Sequence, residues 1–186
     1  MSNGEKTSVA DVRLRRSCGI LMGLFAFVWA NVAGGGSAQL PLFVAALAIT
    51  VATFLLALRP RGEGSRLLDA DWQQRYNRIG LIQFGAIAVV VVASIALDAA
   101  QLIAPLVCVV VGVHFLPLAT LFVQPLFRWS GIALVVVGAV GVALALGESG
   151  GEAARLVVGL GAAVVLWATS VATSRSLDVR SPAPVG

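Results

Sequence analysis

Few residues in this chain are equipped for chemistry. One histidine, two cysteines and a scatter of hydroxyl and amide side chains interrupt long apolar runs. His114 lies in Gly112-Val-His114-Phe-Leu-Pro117, far from any charge in the sequence. Its unperturbed titration range is the one nearest neutral pH. Pro117 removes a backbone donor and frees the carbonyl of Val113 beside the histidine, on a helix that it should kink. A histidine next to a free carbonyl at membrane depth suits solute binding or proton relay. The same histidine can equally serve as glue, since one hydrogen bond between spanning helices is worth about 1 kcal/mol.

Other kinds of chemistry lack their parts. A two-histidine metal site is impossible with one histidine, and no carboxylate lies inside an apolar run to complete another kind. Cys18 and Cys108 fall at different membrane depths, so they do not pair and read as small buried hydrophobes. The glycine run Gly34-Gly35-Gly36 lacks the lysine and the strand–helix setting that phosphate binding requires. No Gly-x-Ser-Gly segment is matched to a histidine on another helix. The expectation is a protein that is not an enzyme and has no cofactor and no metal.

The composition says what must position these groups. Of 186 residues, 59% are hydrophobic and 12% are charged, against about 25% charge in an ordinary globular domain. That balance excludes a disordered chain, a coiled coil and almost any soluble fold. Two cysteines exclude a disulfide scaffold. A spanning helix needs roughly 20 mostly apolar residues, and the uncharged runs supply six: 17–34, 39–58, 79–97, 102–123, 129–147 and 156–174. They are too long for barrel strands and do not alternate polar with apolar residues. The fold class is therefore all-α, an integral membrane bundle over 17–175. The flanking segments, 1–16 and 176–186, read as disordered tails.

Charge placement adds an orientation. Counting crossings from a cytoplasmic N-terminus puts all but Arg155 of the 13 lysines and arginines inside. Cytoplasmic loops hold Lys and Arg, so both termini are expected in the cytoplasm. The net charge of +4 is this asymmetry, with some attraction to anionic headgroups, and no nucleic-acid module accompanies it. A cleaved signal peptide is the alternative for the first run, since Gly36 and Ala38 are small. Cleavage would leave a new N-terminus beside the next span, so an uncleaved anchor is favoured.

Depth then gathers the polar residues. His114 is about thirteen residues from the outer turn, roughly 20 Å down. Gln83 on the third helix, Thr50 and Thr53 on the second, and Thr169 and Ser170 on the sixth fall at similar depth. Four helices are thus expected to share one polar layer, serving either a small solute or proton or only helix packing. In the second loop, Leu68, Trp72 and Tyr76 at i, i+4, i+8 predict a helical stripe anchoring the third span at headgroup level. Small-x-x-x-small pairs, among them Gly19 with Gly23 and Gly159 with Ala163, suit close packing within the chain or a homo-oligomer.

The segment Val111-Gly-Val-His-Phe-Leu-Pro-Leu-Ala-Thr-Leu-Phe resembles the fourth-helix signature, GxHFLPLAxLF-like, of uncharacterised small bacterial multi-pass membrane proteins. The Arg78 to Gln83 stretch is compatible with that group. The resemblance implies a fold and a place in the cytoplasmic membrane rather than a reaction.

Overall fold

A backbone surrounded by hydrocarbon must bond within its own segment, and the apolar runs of this chain do so as helices. The computed structural model describes residues 6–34, 39–58, 65–69, 71–147 and 150–175. Its helices are α1 (Asp11–Ala33), α2 (Gln39–Leu58), α3 (Trp72–Ala96), α4 (Ile103–Leu121), α5 (Pro125–Leu146) and α6 (Gly150–Arg175). A 3-10 turn, Ala100–Leu102, precedes α4. Six helices are long and apolar enough to cross a membrane.

Two short strands depart from the sequence expectation. β1 (Lys6–Ala10) and β2 (Ser65–Asp69) pair antiparallel, with Lys6 opposite Asp69 and Ala10 opposite Ser65. Residues 6–16 are therefore not a disordered tail: they form a strand and the first turns of α1. Leu68 does not extend the Trp72–Tyr76 stripe, because it lies in β2 and the helix begins beyond Asp71. The α1–α2 hairpin returns the chain to the side where it began, so the two segments can satisfy each other's main-chain groups. Arg75 Nε then donates to Asp71 Oδ2 at 2.7 Å and closes the first turn of α3. The tail 176–186 lies outside the described residues.

The helices pack around α6. It runs antiparallel to α1, with Gly19 beside Ser174 and Gly159 beside Ala33. It also lies against α5, and α5 forms a hairpin with α4. α2 leans on α1 and touches α6, whereas α3 rests on α4. The span of α6 is 44% buried and that of α3 only 6%, so α3 is the peripheral helix. Glycines set the closest approaches. A Cβ on Gly112 would stand 2.7 Å from the Gly131 carbonyl oxygen, and one on Gly131 would stand 2.7 Å from that of Gly112. The two backbones touch where a side chain would have to be.

Two turns share one device. At the end of α3, Asp98 adopts φ 53. The Asp98 N–H bonds the Ile95 carbonyl at 3.1 Å, and the Ala99 N–H bonds that of Ser94 at 2.8 Å. At the end of α4, Val123 adopts φ 49. There the Val123 N–H bonds the Thr120 carbonyl at 3.3 Å and the Gln124 N–H bonds that of Ala119 at 2.9 Å. Both are Schellman endings, in which glycine usually holds the left-handed position. Aspartate tolerates that conformation, but a β-branched valine is strained there. Val123 is 68% exposed, so little packing is lost with its side chain. Val123→Gly should stabilise the protein by about 1 kcal/mol, read as a higher midpoint of thermal unfolding in detergent. A lower midpoint would show that the valine side chain matters more than the strain.

Candidate functional site

The six polar residues singled out by the sequence divide between two separate groups. The first joins α1, α2, α5 and α6. Thr50 and Thr53 are buried on α2, and Thr169 and Ser170 are buried on α6. The indole Nε1 of Trp167 donates to Thr50 Oγ1 at 3.1 Å, linking α6 to α2. Thr53 Oγ1 donates to the Thr50 carbonyl at 2.8 Å, within its own helix. Ser170 Oγ donates to the Gly19 carbonyl at 2.8 Å, across to α1. Ser130 on α5 and Thr169 on α6 place their hydroxyl oxygens 2.6 Å apart.

Counting protons orders that last pair. Thr169 Oγ1 lies 2.7 Å from the Val165 carbonyl, and Ser130 Oγ lies 3.1 Å from that of Leu126. Two hydroxyls carry only two protons for three contacts. The shortest assignment has Ser130 donating to Thr169 and Thr169 donating to Val165, which leaves the longer Leu126 contact without the proton. Both hydroxyls of this pair then have a partner. Such short, satisfied bonds between helices are what polar side chains contribute to packing in lipid.

The second group lies on the other side of α4. Gly112 faces α5, and His114 is two residues further on, so it points about 200° away round the helix. That direction faces α3. The imidazole is half-buried and meets the main chain of Ile79, while its nearest ring neighbour is Phe115, with centroids 6.4 Å apart. Gln83, one turn beyond Ile79 on α3, is half-buried and makes no hydrogen bond among the described residues. Pro117 lies inside α4, which continues as helix to Leu121, and its ring is on the exposed side.

The expected single layer is thus corrected to two. Residues 50, 53, 169 and 170 stand together, while His114 and Gln83 stand apart from them at the α3–α4 contact. Sequence spacing gives depth along each helix, but it does not give the helix order, and α3 packs on the outer side of α4.

Trp72 and Tyr76 are half-buried at the start of α3. Their rings lie 6.1 and 5.9 Å from that of Phe122, which is buried beside the α4–α5 turn. Phe127 continues the cluster, 6.3 Å from Phe122 and 5.7 Å from Phe115. The two aromatics pin the otherwise loosely held α3 to the α4–α5 turn.

Sequence reading missed Ser130, Trp167 and the Gly19 carbonyl. Ser130 and Thr169 both lie within two turns of the same end of the bundle, but depth alone does not say that α5 and α6 are neighbours. A tryptophan buried in a span also needs an acceptor for its N–H. Cys108, buried on α4, donates to the Leu134 carbonyl at 3.3 Å and ties α4 to α5. Among the described residues, no three His, Cys, Asp or Glu side chains converge.

Comparison with known proteins adds no relative: no family model, no curated protein and no solved structure matches this chain.

Proposed function

We propose that this chain is a non-catalytic, six-pass protein of the bacterial cytoplasmic membrane, with a structural or accessory role. Both termini lie inside on this reading, because the basic residues concentrate in the connections that share their side. The observation that carries the proposal is the fate of the intramembrane polar groups. Thr50, Thr53, Ser130, Thr169 and Ser170 all direct their hydroxyls to a neighbouring helix or to their own main chain. Groups committed in this way hold helices together and leave nothing to bind a polar substrate.

One observation favours a second reading, a small transporter or channel-like subunit. The Gln83 amide is half-buried without a hydrogen bond, beside the helix face that carries His114. An unsatisfied amide at membrane depth is costly, and a solute or a proton carrier passing between His114 and Gln83 would relieve that cost.

Proton flux into liposomes separates the two. Liposomes loaded with a pH-sensitive dye and holding the reconstituted protein should lose an imposed pH gradient no faster than empty ones. Faster loss that returns to the empty rate in His114→Gln would replace the structural reading with the transport reading.

A further inference from the structure

Helices in lipid gain little from burying apolar surface against one another, so close packing and polar contacts decide which of them stay together. Four of the packed pairs here have a polar contact within the span. Ser170 bonds the Gly19 carbonyl between α6 and α1, Trp167 bonds Thr50 between α6 and α2, Ser130 meets Thr169 between α5 and α6, and Cys108 bonds the Leu134 carbonyl between α4 and α5. α3 is different. From Ile79 to Ala93 none of its side chains makes a hydrogen bond among the described residues. A Cβ on Gly80 or Gly85 would meet nothing within 4 Å, so neither glycine marks a close backbone approach. Only 6% of this span is buried, against 22% for α2, the next lowest.

Instead, α3 is held at its two ends. At one end lies Ser94, its one buried residue. The chain turns tightly there, with the Ala99 N–H bonded to the Ser94 carbonyl at 2.8 Å. At the other end the rings of Trp72 and Tyr76 lie 6.1 and 5.9 Å from that of Phe122. Between the two, Ile79, Gln83, Ile87 and Val90 share the helix face of Trp72 and Tyr76 and are only half-buried. Lipid tails can replace α4 against the three apolar ones at little cost, and the Gln83 amide has no bond to lose. Ala70 and Asp71 separate β2 from Trp72 in the sequence. Two extended residues span about 7 Å, enough for Trp72 to leave Phe122 while β2 stays paired.

A helix fixed by its turn at one end, latched by two rings at the other and unbonded between them is arranged to swing. We propose that α3 is a hinged flap: it pivots at the Asp98 turn, leaves α4 when Trp72 and Tyr76 leave Phe122, and so opens the seam that holds His114 and Gln83 to the hydrocarbon of the bilayer. The inference goes beyond the structural reading and is compatible with it, because the opening faces lipid and admits no water.

Two spin-label pairs follow the motion in nanodiscs, each in a full chain carrying Cys18→Ser and Cys108→Ala. Asn77→Cys with Trp129→Cys spans α3 and α5 at the latched end, and Leu97→Cys with Leu146→Cys spans them at the hinge. All four positions are exposed. Distances measured by pulsed electron double resonance should be single for the hinge pair. The latched pair should show a second, longer distance beside the main one. One aromatic ring contact is worth about fivefold in such an equilibrium. Trp72→Ala should therefore raise the longer component about fivefold relative to the main one and leave the hinge pair unchanged. Tyr76→Leu should do the same and serves if the first variant does not fold. A single, unaltered distance at the latched end in the parent and in both variants would show that α3 does not open. A longer distance at both ends together would show that it leaves as a whole, without a hinge. Either result would overturn the proposal.

Discussion

Gly131→Leu should separate α4 from α5 and destabilise the protein by about 3 kcal/mol, the upper range for overpacking a tight interior. The reason is geometric. The first carbon of any side chain at 131 would stand 2.7 Å from the Gly112 carbonyl oxygen and 2.9 Å from Phe115 Cβ. Neither neighbour is the far end of a flexible side chain, so relief requires the helices to move apart. That movement would also break the Cys108 bond to the Leu134 carbonyl and loosen the ring contact between Phe115 and Phe127. Alanine tests the balance of terms. It gains about 1 kcal/mol of helix propensity over glycine but meets the same backbone, so Gly131→Ala should still lose stability, by less than leucine does. Denaturation in detergent, followed by circular dichroism, measures both variants. A stabilised alanine variant would show that the backbones do not touch as described.

Gly159→Leu should have a comparable effect at the α1–α6 crossing. A Cβ there would lie 2.5 Å from the Ala33 main-chain nitrogen and 2.8 Å from the Trp29 carbonyl oxygen. The consequences reach further than at 131, because α6 is the helix around which the others pack. Prying α1 away would also break the Ser170 bond to Gly19. The loss should be about 3 kcal/mol or more and accompanied by aggregation. Gly80 and Gly85 on α3 provide the control, since a Cβ on either would meet nothing within 4 Å. Gly85→Ala should therefore leave stability unchanged or raise it by up to about 1 kcal/mol. Loss of stability at 85 as large as at 159 would mean that the decisive contacts of α3 are not those described.

The difference between what was legible in the sequence and what was not follows from geometry. Uncharged runs of about 20 residues report directly on hydrocarbon thickness, so the six long apolar helices could be read from the charges alone. Position along each helix was legible too, because residues are counted from a turn at a fixed rise. Direction round the helix was not. Counting from the turns puts His114 and Thr169 at similar depth, yet Gly112 takes one side of α4 for α5 and leaves His114 facing α3. Nothing in the spacing of Thr50, Gln83 or His114 says which helices become neighbours. The ribbon between β1 and β2 was hidden for a related reason: five-residue strands carry little periodicity, and their pairing joins segments 50 or more residues apart in the chain. Ser130 escaped because a lone serine in an apolar run normally bonds its own helix, and its partner on α6 appears only once α5 and α6 are adjacent.

The central claim is that the intramembrane polar residues serve packing and are closed to water. It is tested most directly at His114. A cysteine-free chain is made with Cys18→Ser and Cys108→Ala, and His114→Cys is then introduced for labelling by a charged, water-soluble thiol reagent applied to each face of the membrane. Asp98→Cys and Gln73→Cys, at exposed positions near opposite ends of α3, show that each face is reachable. Closed packing predicts that both controls label while position 114 stays unmodified from either side in the folded protein. Labelling of position 114 at a rate near that of a control would reveal a water path between α3 and α4, and it would contradict the structural account in favour of transport.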